Sequence, residues 1–331
     1  MKLSLFGCGS IGQRHATNLK DLGYGVIQVF DIDIKRRNDL SKKIGAIPIN
    51  DPKAAMLDSD VAFICTPPNA HTDLIESAVE AGVHVFVEKP ISNVESKLPN
   101  ILKLADEKNL KIMVGYMLKF HPAFIKMKEL VQRGQIGRIL NVQAHFGYLL
   151  PKWRPEADYR KSYFTQHESG GGILLDASHE IDYIRWIFGE PKSVYCKISH
   201  LSDLKIETED HAIIVFESQS GQIIEIHLDC LDYKYNRFCK VIGTDGSLTC
   251  NFNGKVVVIN EQGIQEFQEP FNLNDLYKNQ IKYFIESISE NKKIINDGWS
   301  GLRTLELVSQ AKFSATSGKT LYTKAGRLGS S

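Results

Sequence analysis

One short stretch, Gly7-Cys8-Gly9-Ser10-Ile11-Gly12, constrains this chain more than any other. It follows an apolar run, Lys2 to Phe6, and leads into Ile11 to Leu22, where apolar residues recur at helical spacing up to Gly23. The pattern predicts a strand, a tight turn and a helix. The three glycines then have separate jobs. Gly7 permits the turn, Gly9 lets a pyrophosphate approach the backbone, and Gly12 lets the helix pack closely on the strand. The backbone of Gly9, Ser10 and Ile11 offers phosphate oxygens the unpaired N–H groups and partial positive charge of a helix N-terminus.

Glycine turns also make ordinary bends, so the second strand matters. Val26 to Phe30 is apolar and ends in Asp31, about 20 residues past the third glycine, where a carboxylate meets the ribose hydroxyls of an adenine dinucleotide. A carboxylate there repels a 2′-phosphate, which favours NAD over NADP. Lys35, Arg36 and Arg37 follow directly. They can rescue NADP binding or, more simply, form a solvated helix face.

A length of 331 residues suggests about two domains, and 43% hydrophobic residues suit globular cores. The formal charge of +1 gives no ground for a nucleic-acid partner or an acidic membrane surface. No apolar run approaches the ~20 residues of a membrane span, and the N-terminus reads as a strand rather than a signal peptide. The six cysteines (Cys8, Cys65, Cys196, Cys230, Cys239, Cys250) have no CxxC spacing. They read as reduced thiols of a cytoplasmic protein, neither a disulfide frame nor a zinc site.

Strands and helices alternate through the first third. Helices are expected at Ile34–Ile44, Pro52–Leu57, His71–Ala81 and Glu95–Lys108, and strands at Ala46–Ile49, Asp60–Cys65, Val83–Val87 and Leu110–Val114. Such alternation after a glycine turn predicts a doubly wound parallel sheet with its ligand across the strand C-termini. Beyond about residue 120 the pattern changes. A helix at His121–Arg133 gives way to alternating strands at Ile139–Leu149, Ser193–His200, His211–Glu217, Gln222–Leu231, Arg237–Gly243, Ser247–Phe252 and Lys255–Ile259. These predict a large, mainly antiparallel sheet with one face covered. Helices at Asn274–Glu290 and Trp299–Ala315 follow, and Ala325–Ser331 reads as a frayed tail. The expected class is α/β, with a dinucleotide-binding domain over 1–120 and a second, substrate-binding and oligomerisation domain over 121–331.

Several residues can do chemistry. Thr66-Pro67-Pro68-Asn69-Ala70-His71 is a stiffened loop at a strand C-terminus, where a cofactor lies. Thr66, Pro67, Asn69 and His71 are cofactor candidates, although Asn69 or Thr72 can equally cap the next helix. The fifth strand ends in Glu88-Lys89-Pro90. A lysine leaving a buried parallel strand at the cofactor edge can hydrogen-bond an oxygen whose carbon gains or loses hydride, with Glu88 as its partner; the alternative is a surface lysine at a loop start.

Gly170-Gly171-Gly172 precedes an apolar helix expected from Ile173 to Phe188. On it Asp176, His179 and either Glu180 or Asp182 share a face. A carboxylate beside His179 fixes its tautomer and raises its basicity, as a general base for a hydroxyl proton requires. The same set is a weak metal signal, and no metal is expected; a satisfied core histidine is the other account. Trp153, Arg154, Tyr159 and Arg160 in the preceding loop suit a carboxylate- or phosphate-bearing sugar, or equally a subunit contact.

Together the glycine turn, Cys65 to His71, Glu88-Lys89-Pro90, Gly115-Tyr116 to Pro122 and Gly170 to Asp182 resemble the Gfo/Idh/MocA oxidoreductases, in the right order and over nearly the whole chain. The resemblance implies a Rossmann domain, an open-sheet α/β domain, a homodimer or homotetramer, and NAD(P)-dependent redox chemistry on sugars or polyols. It makes Lys89 the catalytic lysine, His179 the catalytic histidine and Asp176 the preceding aspartate. One departure is that the aspartate stands three residues before the histidine rather than four. Lys119 stands where many members carry arginine. The segment Trp153 to Phe188 resembles members from bacterial surface-glycan pathways, which favours an activated or acidic sugar. Tyr116 and Lys119 join the substrate-contact candidates. An NAD-dependent glycosidase and a non-catalytic NAD/sugar sensor are the rival functions.

Overall fold

The computed structural model describes residues 1–25 and 27–323. The expected tail at Ala325–Ser331 lies outside the described residues, as does Val26 at the head of the expected second strand. The chain divides into two compact units: Met1–Met117 with Leu273–Leu305, and Leu118–Asn272 with the chain from Glu306 onward.

The first unit alternates β1 (Leu3–Phe6), α1 (Ser10–Asp21), β2 (Ile27–Phe30), α2 (Ile34–Ile44), β3 (Ile47–Pro48), α3 (Pro52–Leu57), β4 (Val61–Ile64), α4 (His71–Glu80), β5 (His84–Val87), α5 (Leu98–Glu107) and β6 (Ile112–Val114). Its six strands are all parallel, in the order β3-β2-β1-β4-β5-β6. That is the order of a dinucleotide-binding fold, and it reverses between β1 and β4. Every residue of β1, β4 and β6 is buried. These strands are therefore covered on both faces and read as unbroken apolar runs rather than alternating ones. Turn chemistry sets the helix ends. Asp33 caps α2 by accepting from the N–H groups of Lys35 and Arg36, and Gly45 closes it at φ 74°.

The second unit opens with α6 (Pro122–Gln132) and β7 (Ile139–Gly147), then α7 (Ile173–Asp176) and α8 (His179–Phe188). It continues through β8 (Pro191–Ser199), β9 (His211–Ser218), β10 (Ile223–Asp229), β11 (Asn236–Gly243), β12 (Gly246–Asn251), β13 (Lys255–Asn260) and β14 (Gly263–Gln268). In chain order two long helices follow, α9 (Leu273–Ser289) of the first unit and α10 (Gly298–Ser317), and then β15 (Leu321–Tyr322) of the second. Nine strands lie in the order β14-β13-β12-β11-β7-β10-β9-β8-β15, antiparallel except for the β7–β10 pair. One face is apolar and buried: Val142, Ala144 and Phe146 on β7, with Ile224, Ile226 and Leu228 on β10. The other face carries the alternate, partly exposed residues, as an antiparallel sheet with one covered face should. Phe124 of α6 meets Tyr183 of α8 edge-on at 4.7 Å on the covered side.

α9 belongs to the first unit, where Phe284 packs on Phe63 and Phe86, with ring centroids 6.3 and 5.8 Å apart. One expectation is corrected outright. The helix read from Ile173 to Phe188 is broken: α7 ends at Asp176, Ala177 and Ser178 intervene, and α8 begins at His179. Asp176 and His179 therefore do not share a face of one helix. The apolar period continues through the break, so nothing in the pattern signals it.

Candidate active site

The residues singled out above fall into two groups, one in each unit. In the first unit the glycines have the distinct environments that their offsets imply. Gly7 has φ +96°, and a Cβ there would lie 2.7 Å from the Cys65 carbonyl group. A Cβ on Gly12 would lie 1.8 Å from the Gly7 oxygen, so only glycine lets α1 approach β1 this closely. Gly9, the residue before α1, has nothing within 4 Å of its Cβ position and faces open space. The α1 N-terminus that Ser10 and Ile11 open has no acidic residue in its first turn. Its N–H groups and dipole keep their attraction for an anion.

Asp31 ends β2 with its carboxylate turned to this turn: Oδ2 accepts from the Cys8 N–H at 2.6 Å and Oδ1 from the Asp33 N–H at 2.8 Å. Burial, then Asp31, pushes the Cys8 thiol up to about 12, so it is an inert neutral group. Of the three basic residues beyond, Arg37 is buried and donates to the Ile49 carbonyl at 2.8 Å, while Lys35 and Arg36 are exposed.

At the end of β4, the His71 ring lies between two carbonyls, with Nε2 at 2.8 Å from Thr66 O and Nδ1 at 2.9 Å from Pro90 O. It ties the Thr66 loop to the loop after β5. Burial holds its pKa below the ordinary imidazole value despite those bonds. Asn69 and Pro67 are exposed. Neither Asn69 nor Thr72 caps α4, which has no side-chain cap; the Thr72 hydroxyl pairs instead with Ser92 at 2.7 Å. The Thr66 hydroxyl is buried with no hydrogen-bond partner among the described residues.

After β5, Glu88 is buried and its Oε1 lies 2.6 Å from His15 Nε2, while Oε2 accepts the Lys89 N–H at 3.3 Å. Lys89 is half-buried. Tyr116 is buried, and its carbonyl accepts from Asn296 Nδ2 at 3.0 Å.

In the second unit, His179 opens α8 with 8% of its surface exposed, and Asp176 closes α7, accepting the Tyr163 hydroxyl. The two other carboxylates considered for orienting His179 have cationic partners. Glu180 pairs with Arg237 at 2.8 Å and Asp182 with Lys119 at 3.0 Å, all four side chains being nearly or fully buried. Trp153 donates its indole N–H to the Tyr148 carbonyl at 2.7 Å and meets Phe164 edge-on at 5.0 Å. Arg154 is exposed. Arg160 is exposed and forks onto Asp158 at 2.8 and 2.9 Å; the Tyr159 hydroxyl accepts the Lys205 N–H at 3.3 Å.

Sequence reading missed His15, Tyr163 and Arg237. His15 had a signal, since Gly12, His15, Ala16 and Leu19 share the buried face of α1. Arg237 stands 57 residues from Glu180, on strand β11, and had none.

Residues 1–116 match the oxidoreductase family model described as an NAD-binding Rossmann fold, and residues 124–249 match the GFO/IDH/MocA C-terminal domain. The chain belongs to the Gfo/Idh/MocA family. It is an NAD-binding oxidoreductase, and the constrained Gly7 and Gly12 beside the open Gly9 fit a dinucleotide pyrophosphate. Among its relatives, the inositol 2-dehydrogenase of Rhizobium meliloti (strain 1021) is 27% identical over 325 residues, 94% of this chain and 96% of the relative. The myo-inositol 2-dehydrogenase of Thermotoga maritima is 27% identical over 332 residues, 94% of this chain and 95% of the relative. An oxidoreductase from Agrobacterium radiobacter, solved with NAD+, L-tartaric acid and magnesium, shares the fold with a TM-score of 0.87 at 20% identity, over 97% of this chain and 98% of that one.

Proposed function

We propose that this Gfo/Idh/MocA member transfers hydride reversibly between NAD and a CH–OH carbon of a sugar, polyol or sugar acid, free or nucleotide-linked. The observation that carries the reading is similarity along almost the full length to two enzymes named inositol 2-dehydrogenases.

NAD, when bound, supplies the hydride acceptor. Gly7, Gly9 and Gly12, with the backbone of Ser10 and Ile11, hold its pyrophosphate, and Asp31 its adenosine ribose. Thr66, Pro67, Asn69 and His71 form the loop beside it, and the unpaired Thr66 hydroxyl has a hydrogen bond to offer. His179 takes the proton of the substrate hydroxyl, with Asp176 as the carboxylate nearest to it in sequence. The Lys89 ammonium hydrogen-bonds the substrate oxygen and stabilises the negative charge that grows there as hydride leaves the carbon. Glu88, tied to His15, fixes the backbone from which Lys89 projects. Trp153, Arg154, Tyr159 and Arg160 are the substrate-contact candidates.

The test is nicotinamide absorbance with purified protein, NAD or NADP, and a panel of inositols, free sugars, sugar acids and nucleotide sugars. Reduction of NAD by one panel member is expected. Lys89→Met and His179→Asn should each lower kcat by about 10²–10⁴-fold with NAD binding retained. Full turnover by either variant, or NAD binding without reduction across the panel, would overturn the proposal.

A further inference from the structure

On the open face of the nine-stranded sheet, three histidines and a phenylalanine stand side by side across four adjacent strands. His227 of β10 is directly opposite His145 of β7 in the parallel register, and their rings stack at 4.7 Å and 16°. Phe238 of β11 covers the other side of His145 at 5.2 Å, and His211 of β9 meets His227 edge-on at 5.0 Å. At the end of β10, Asp229 Oδ2 lies 2.9 Å from His227 Nε2.

We propose that His145, His227 and Asp229 bind a divalent transition metal of the zinc class, with Asp232 at the fourth position. Two imidazoles and one or two carboxylates are a zinc-type donor set. One ligand atom from each of His145, His227 and Asp229 lies within 4.8 Å of the others. Bonds of about 2.0–2.2 Å place tetrahedral donors roughly 3.3–3.5 Å apart, so rotation of the partly exposed rings closes the site without moving the backbone. Asp232 Oδ2 is 4.0 Å from His145 Nε2.

Two further observations support the site. First, His145 Nε2 is buried and has no hydrogen-bond partner among the described residues. Second, Asp229 is held in place: its Oδ1 accepts the N–H groups of Leu231 and Asp232 at 2.8 and 2.7 Å, which leaves Oδ2 facing the rings. A Cβ at Gly147 would lie 2.8 Å from that oxygen, so the strand opposite makes room for it. Sequence spacing had no access to the site, because His145 on β7 is brought beside His227 and Asp229 of β10 only by strand pairing.

The test is equilibrium dialysis of the chelator-stripped, full-length chain against micromolar zinc chloride, with metal measured against protein. A single retained zinc per chain is expected, and cobalt(II) in its place should give the visible absorption of a tetrahedral site. His145→Phe, which keeps the stack on Phe238, His227→Gln and Asp229→Asn should each weaken binding more than about tenfold while unfolding at the wild-type temperature. His200→Gln, on an exposed histidine elsewhere, should not. No retained zinc, or equal retention in the three site variants, would overturn the proposal. Turnover of the panel is read separately, so failure here leaves the dehydrogenase proposal intact.

Discussion

Glu88 and His15 form a buried hydrogen-bonded pair, Oε1 to Nε2, at 2.6 Å. The pair joins the first turns of α1, just past the glycine turn, to the residue before Lys89. Glu88→Ala leaves the imidazole without its partner in an apolar site between Phe63 and Phe86. The expected cost is about 1–3 kcal/mol of stability, read as a fall in Tm. Gly115→Ala is the independent check: its Cβ would lie 3.0 Å from the Glu88 carboxylate, so it should lower Tm in the same sense.

The glycine turn separates a folding role from a binding role. Gly12→Ala puts a methyl 1.8 Å from a backbone oxygen, so it should abolish soluble, cooperatively folding protein. Gly9→Ala meets nothing within 4 Å, so it should fold with wild-type Tm. It should still bind NAD more than about tenfold more weakly, because the methyl occupies the pyrophosphate approach. Calorimetric titration with NAD beside a thermal melt distinguishes the two.

Lys119 and Asp182 are a buried ion pair at 3.0 Å. Lys119→Met removes the buried cation beside Asp182 and should cost about 3–5 kcal/mol, whereas the double variant with Asp182→Leu should recover part of it. Thermal denaturation reads the pair, and KM reads whether Lys119 also touches substrate. Recovery of both in the double variant would confine Lys119 to holding the fold.

His121 caps α6 as a neutral imidazole: Nδ1 accepts the Ala123 N–H at 3.2 Å, and Nε2 donates to the Phe252 carbonyl at 3.0 Å. Burial chiefly, with Arg237 adding to it, lowers its pKa from 6.5 to about 4. The folded value lies below the unfolded one, so its contribution is fully present above about pH 6.5 and is lost as pH falls towards about 4. The loss is on the order of 3 kcal/mol across that window. Chemical denaturation at stepped pH should show it, and His121→Phe should flatten that part of the curve.

The first unit was legible because β1, β4 and β6 are buried on both faces: a run such as Val61–Ile64 carries no polar residue, and Gly45 and Gly82 mark where helices stop. β14 was not legible, since its residues are almost all exposed and β13 is its one strand neighbour in the sheet. The break at Ala177–Ser178 was hidden within continuous apolar periodicity. In the site, the single residues Gly7, Gly9, Gly12 and Asp31 could be placed from spacing alone. The partners of Glu88, Glu180 and Asp182 could not, because each is supplied by a distant segment that only the folded chain brings near.

Phe284 on Phe63 and Phe86 has a consequence for biosynthesis. The aromatic cluster that completes the first unit waits for a helix that follows residues 118–272 in the sequence. The opening 117 residues leave the ribosome without it, their Phe63 and Phe86 rings lacking their cover until Leu273–Ser289 is made. Domain-by-domain folding from the N-terminus, the usual order during translation, would have to start without that cover. A nascent fragment ending near residue 120 should therefore be captured by chaperones or aggregate, and that vulnerability ends only when translation has passed α9.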